Sequence, residues 1–102
     1  MTYQLILQWL GSPLKGYESL IEIEELLLDA LPPGSDVDGH DVGTDQSNIF
    51  IWTEEPYETF KEAARVAGTH AAWPGVRAAF RDEAAEDYTA IWPPDLSTFE
   101  VD

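Results

Sequence analysis

Apolar residues return at every second position near the start of the chain. Over Thr2–Trp9, Tyr3, Leu5, Leu7 and Trp9 alternate with Gln4, Ile6 and Gln8. That period of two predicts a strand with one well-buried face. Gly11-Ser12-Pro13 stops it. Ser12 ahead of Pro13 offers a cap for a short helical turn, and Gly16 makes a start near Tyr17 an equal alternative.

The period changes over Tyr17–Leu31, the clearest helical stretch. Leu20, Ile23, Leu27 and Leu31 fall on one side, with Ile21 and Leu28 on its flank. Glu18, Glu22, Glu25 and Asp29 fall together on the opposite side. No lysine or arginine within that stretch relieves the mutual repulsion of these acids, and Asp29 also opposes the helix dipole. Core burial must therefore carry this helix. Leu31-Pro32-Pro33-Gly34-Ser35 ends it and turns the chain.

Asp36–Val42 reads as a weak edge strand, whose acids and Gly39 discourage pairing with another chain. Gly43–Ser47 makes a hairpin turn into Asn48–Thr53. In this next strand Ile49 and Ile51 lie on one face and Phe50 and Trp52 on the other, as in an internal strand covered on both sides. Glu54-Glu55-Pro56 opens a second helix, with Pro56 in a first turn where a missing N–H is harmless. Tyr57, Phe60, Ala64 and Ala67 mark its expected buried face, and Gly68 is suited to the C′ position. A loop, Thr69–Gly75, carries His70 and Trp73. Val76–Arg81 reads as a strand with Arg77 and Arg81 on one side, Asp82–Asp87 as an acidic turn, and Tyr88–Trp92 as a last strand stopped by Pro93-Pro94. In the acidic tail from Asp95 to Asp102, Leu96, Phe99 and Val101 are available to pack it down.

The order β-α-β-β-α-β-β contains the split βαβ arrangement. The expected fold is α+β: a ferredoxin-like βαββαβ unit with an extra C-terminal strand, its two helices on one face of an antiparallel sheet. At 102 residues, with no segment resembling a linker, the chain is expected to form one domain, residues 95–102 being its tail. The other face of the sheet should carry Gln4, Ile6 and Gln8, with either Ile49 and Ile51 or Phe50 and Trp52 beside them. Both choices are large and apolar, so that face calls for a cover: a second copy, the tail, or a different partner.

Charge narrows the partners. Twenty acids against five Lys and Arg leave a formal net charge of −15. Such a chain repels phosphate backbones and anionic membrane surfaces and attracts basic proteins. The absence of cysteine removes disulfides, thiolate nucleophiles and cysteine-based zinc sites. No stretch approaches the roughly 20 apolar residues of a membrane span. The first residues carry no basic signal region, so a cytoplasmic protein is expected.

Chemical motifs are weak. Asp36-Val37-Asp38-Gly39-His40-Asp41 looks like the opening of a calcium loop, but His40, Asp41 and Ser47 occupy positions where that loop needs an oxygen ligand, glycine and glutamate. His40, Asp41 and His70 could contribute to a zinc site only if the fold brings them together. His40 next to Asp41 is no acid/base pair on a strand, where neighbours point to opposite faces. A hydrogen bond from His40 to a nearby acid, fixing the hairpin, is the simpler role. With no nucleophile elbow and no phosphate loop, no catalytic residue, metal site or cofactor is assigned.

The run Asp38-Gly39-His40-Asp41-x-Gly43, then Asn48-Ile49-Phe50-Ile51, Pro56, Thr59-Phe60, Ala79-Phe80-Arg81 and Tyr88-Thr89-x-Ile91-Trp92-Pro93, resembles a family of small uncharacterised bacterial cytoplasmic proteins. The resemblance runs along most of the chain but implies no activity. One departure is Ala84-Ala85, where a glycine is expected in the turn before Tyr88, which bears on how tight the final hairpin is. In size, acidity and expected fold the chain also looks like immunity proteins of bacterial toxin systems, a likeness of class alone. The expectation is a non-enzymatic acidic module that binds a basic protein. Glu18, Glu22, Glu25 and Asp29 form one candidate surface, and Asp38, His40, Asp41 and Asp45 another. The alternative is a small homodimer, paired through its open sheet faces, with a ligand-binding or regulatory role.

Overall fold

The computed structural model describes residues 2–11, 13–43 and 45–101, apart from the side chains of residues 13–17. The element order is β1 (Tyr3–Leu10), α1 (Pro13–Ala30), β2 (Ser35–Val42), β3 (Gln46–Thr53), α2 (Pro56–Ala67), β4 (Arg77–Asp82) and β5 (Thr89–Trp92). The strands form one sheet in the order β2-β3-β1-β4-β5, with every neighbouring pair antiparallel. Each helix carries the chain over one intervening strand, so β1 lies at the centre. The fold is α+β, a ferredoxin-like unit extended by β5 beyond β4.

The core lies between the helices and one face of the sheet. Leu5 and Leu7 of β1, Ile49 and Ile51 of β3 and Ala78 of β4 meet Leu20, Ile23 and Leu27 of α1 and Ala63 and Ala67 of α2. Each fully buried Leu or Ile contributes about 1.5–3 kcal/mol, which is how α1 holds together despite its acids. That helix starts earlier than the leucine period alone indicates. Pro13 occupies its first turn, where its fixed φ is already helical. Lys15 therefore belongs to α1, so the helix is not free of basic residues. The expected Ser12 cap falls outside the described residues.

The second helix is rotated by about one residue from the expected stripe. Pro56, Thr59, Ala63 and Ala67 are buried, whereas Tyr57 is 52% exposed and Ala64 only partly covered. Two small alanines and a threonine let the helix approach closely, while the large rings sit on its flanks. Tyr57 packs edge-on against Phe80, and Phe60 lies against Trp73 and Trp92. Gly68 caps the helix by donating its N–H to the Ala64 carbonyl, with φ at −65°, so it is not a left-handed C′ glycine.

A bulge interrupts β2. Val37 pairs with Ile51, but the next residue in register, opposite Phe50, is Gly39, at φ +145°. The extra residue, Asp38, resets the alternation. His40 comes opposite Ile49 and Val42 opposite Ser47, so both share the helix-side face with Val37. Gly39 is the glycine the fold most clearly requires, because side chains rarely tolerate that φ.

Candidate functional site

The four acids predicted on α1, Glu18, Glu22, Glu25 and Asp29, all lie exposed on its solvent side. Two exposed leucines border them, Leu26 at 39% and Leu28 at 60%. Glu22, Glu25, Leu26 and Asp29 line a shallow groove closed on its far side by His70. The stripe is thus a mixed surface, with carboxylates in the middle and apolar edges. The two bases of α2 are held on that helix, Lys61 by Glu58 and Arg65 by Glu62.

Two histidines fix the helix that carries these acids. On one flank, His40 Nδ1 donates to both oxygens of Glu24, at 3.1 and 3.0 Å. On the other, His70 Nδ1 accepts the Ala72 N–H at 3.0 Å, leaving the proton on Nε2, which donates to Glu22 at 3.2 Å. The expected partner of His40 is therefore on α1 and not in the hairpin. Its bond ties the edge strand to the helix, and the bulge makes this possible by turning His40 onto the helix side. Asp38, Asp41 and Asp45 are exposed, spread along β2 and its turn. His40 and His70 occupy opposite flanks of α1 and do not converge. Among the described residues no group of three or more His, Asp or Glu is placed to hold a metal ion.

A second acidic surface lies outside the residues that the sequence pattern singles out. Glu54, Glu55, Glu58 and Glu62 rim a cleft between Pro32–Ser35 and the start of α2. Beneath it runs a chain of hydroxyls. Thr53 Oγ1 is 2.7 Å from Thr59 Oγ1, which is 3.2 Å from Ser35 Oγ, and the Glu55 N–H donates to Thr53 Oγ1 at 3.0 Å. These bonds join β2, β3 and α2, so the hydroxyls have a structural role.

The opposite face of the sheet is partly polar. Gln8, Gln46 and Asn48 are buried there, at 0%, 8% and 0% exposure. Gln8 Nε2 faces three acceptors, Gln46 Oε1 at 3.1 Å, Asn48 Oδ1 at 3.0 Å and the Glu100 carbonyl at 2.8 Å, with only two protons to share. Gln8 Oε1 and Arg77 Nε are buried without a partner. The tail lies over this end of the face. Arg77 Nη2 donates to the Thr98 carbonyl at 2.8 Å, and the Phe99 ring sits 5.6 Å from the Arg77 guanidinium and 5.3 Å from the Tyr88 ring. The row is hidden in the sequence because Gln46 falls within the stretch expected to form the hairpin turn. Once β3 begins at Gln46, Asn48 comes opposite Gln8.

At the other end, Arg81 donates to Gln4 Oε1 at 2.9 Å and to the Ala85 carbonyl at 2.9 Å. Asp82 Oδ1 accepts the Ala84 N–H at 2.9 Å. These side chains hold the Asp82–Asp87 turn in the place of the expected glycine. Phe50 and Trp52 remain on this face, half-buried.

A scan against protein-family models, a search of curated proteins and a search of solved structures each return no match. None of the helices of the described residues is long and apolar enough to cross a membrane.

Proposed function

We propose that this domain is a binding module that docks a basic protein through the acidic face of α1. The observation that carries this reading is the surface itself. Glu18, Glu22, Glu25 and Asp29 stand exposed between Leu26 and Leu28, on a helix clasped on both flanks by histidines. Exposed like charges cost folding stability, and exposed leucines gain nothing from water. A partner carrying Lys or Arg around an apolar patch would offset both. Asp38, Asp41 and Asp45, which flank His40, extend the negative field along the edge strand, and the net charge of −15 steers a basic protein toward the molecule.

Immunity-like action, in which the partner is a toxin, is one form of this reading; small size, acidity and the α+β fold support it at the level of class. The test is capture from the native host at about 50 and about 500 mM salt, either side of strong screening. Wild type and a Glu18→Gln/Glu25→Gln/Asp29→Asn variant, which keeps the Glu22 bond to His70, are compared. A basic protein retained only at low salt, and only by wild type, supports the proposal. Capture that ignores both changes counts against it.

Phe50 and Trp52 favour a second reading, a homodimer through the part of the open sheet face that carries them. Sedimentation at micromolar concentration distinguishes the two, since a monomer at every concentration removes the dimer.

A further inference from the structure

The open face of the sheet is already occupied at one end, and how it is occupied is informative. The tail is held there by its main-chain carbonyls: that of Thr98 accepts from Arg77 and that of Glu100 from Gln8. Carbonyls two residues apart aimed at one surface are a signature of extended chain. Between them the Phe99 ring enters a slot formed by the Arg77 guanidinium and the Tyr88 ring. The sheet therefore reads backbone at two points and an aromatic side chain at one. Its fit to the tail is incomplete. Arg77 Nε and Gln8 Oε1 are both buried and unpartnered, and their residues are direct neighbours across β1 and β4. A chain that brought a carboxylate to Arg77 and an N–H to Gln8 would satisfy what the tail leaves unmet.

We infer that this face is a binding groove for an extended, acidic, aromatic peptide segment of a partner protein, and that the tail fills it in cis as a displaceable occupant. Charge supports the choice. The positive charge at this end of the face is Arg77, whose buried Nε keeps no partner, whereas Arg81 is taken up at the other end by Gln4 and Ala85 and α1 presents carboxylates on the other side of the molecule. The tail has the same chemistry as the proposed ligand, with Phe99 set among Asp95, Glu100 and Asp102. This surface is separate from the acidic face of α1 and takes a partner of opposite sign.

The probe is a fluorescent peptide with the sequence of residues 94–102, titrated into the 102-residue chain and followed by anisotropy. Wild type should bind it weakly, because its own tail competes. Phe99→Ala in the same 102-residue chain loosens that tail and should bind the peptide at least ten-fold more tightly. Adding Arg77→Gln should abolish the gain. The inference is overturned if Phe99→Ala, with a cooperative thermal melt, binds no better than wild type, or if binding is indifferent to Arg77→Gln. Should Phe99→Ala lose its cooperative melt, the milder Phe99→Leu takes its place under the same two criteria.

Discussion

His40 of β2 and Glu24 of α1, sixteen residues apart, are joined by one Nδ1–H shared between the two carboxylate oxygens. The side chains are only 28% and 13% exposed, so solvent screens the pair incompletely. The comparable pair on the other flank, His70 with Glu22, has its glutamate 62% exposed. The two clasps should differ in strength. Glu24→Ala is expected to cost about 0.5–1.5 kcal/mol, and Glu22→Ala no more than about 0.5 kcal/mol. Urea unfolding with an unchanged m-value measures both. Equal losses would mean that burial does not set their ranking.

The bulge at Gly39 places His40 on the helix side, so its removal should undo the same clasp indirectly. Gly39→Ala forces a side chain into φ +145°. The expected loss is about 1–3 kcal/mol, even though a Cβ there would meet no atom within 4 Å. Coupling provides the sharper check. In the Gly39→Ala background the effect of Glu24→Ala should shrink, and strict additivity would argue against a bulge-dependent contact.

Thr59 bridges hydroxyls from two strands, Ser35 of β2 and Thr53 of β3. Thr59→Val keeps the shape and removes the bridge. It should destabilise the domain by about 1–2 kcal/mol, read from the shift in unfolding midpoint. A variant as stable as wild type would show that water substitutes for the bridge.

Neutralising the acidic face of α1 should separate stability from binding. Glu18→Gln/Glu25→Gln/Asp29→Asn, which leaves the Glu22 bond to His70 in place, relieves helical like-charge pairs worth about 0.2–0.5 kcal/mol each and removes an acid from the negative end of the helix dipole. The triple variant should melt at or above the wild-type temperature while losing salt-dependent association with a basic partner. A lower melting temperature would mean that these carboxylates hold the fold and are not kept for docking.

Much of the fold was legible because its signals are periodic. The alternation through Leu5 and Leu7 and the 3.6-residue period through Leu20, Ile23 and Leu27 each report a face buried in the final structure. Features that depend on register were not legible. A one-residue bulge at Gly39 reverses the faces of everything after it, and no local pattern shows where an extra residue will be absorbed. The stripe of α2 was misplaced because large rings look like core. Ala67 is buried as expected and Phe60 packs against the edge of the core, but Tyr57 stands exposed and the small Ala63 takes the tight contact expected of Ala64. The acids of α1 were legible as exposed. The Gln8, Gln46 and Asn48 row was not, because its burial depends on where β3 begins and on a tail ninety-two residues from Gln8.

The position of β1 has a consequence for how the chain acquires its shape during synthesis. It leaves the ribosome ahead of every other described element, yet it pairs on one side with β3 and on the other with β4. Neither edge of β1 is satisfied until residues 46–53 and then 77–82 have followed. An apolar strand with 0% exposure at Leu5, Ile6 and Leu7 must therefore wait, unpaired, for most of the domain. Sequence-distant closure of this kind is slow relative to local helix formation. Nascent chains stalled before residue 77 should remain protease-sensitive at β1, with protection arriving together with β4 and not gradually along the chain.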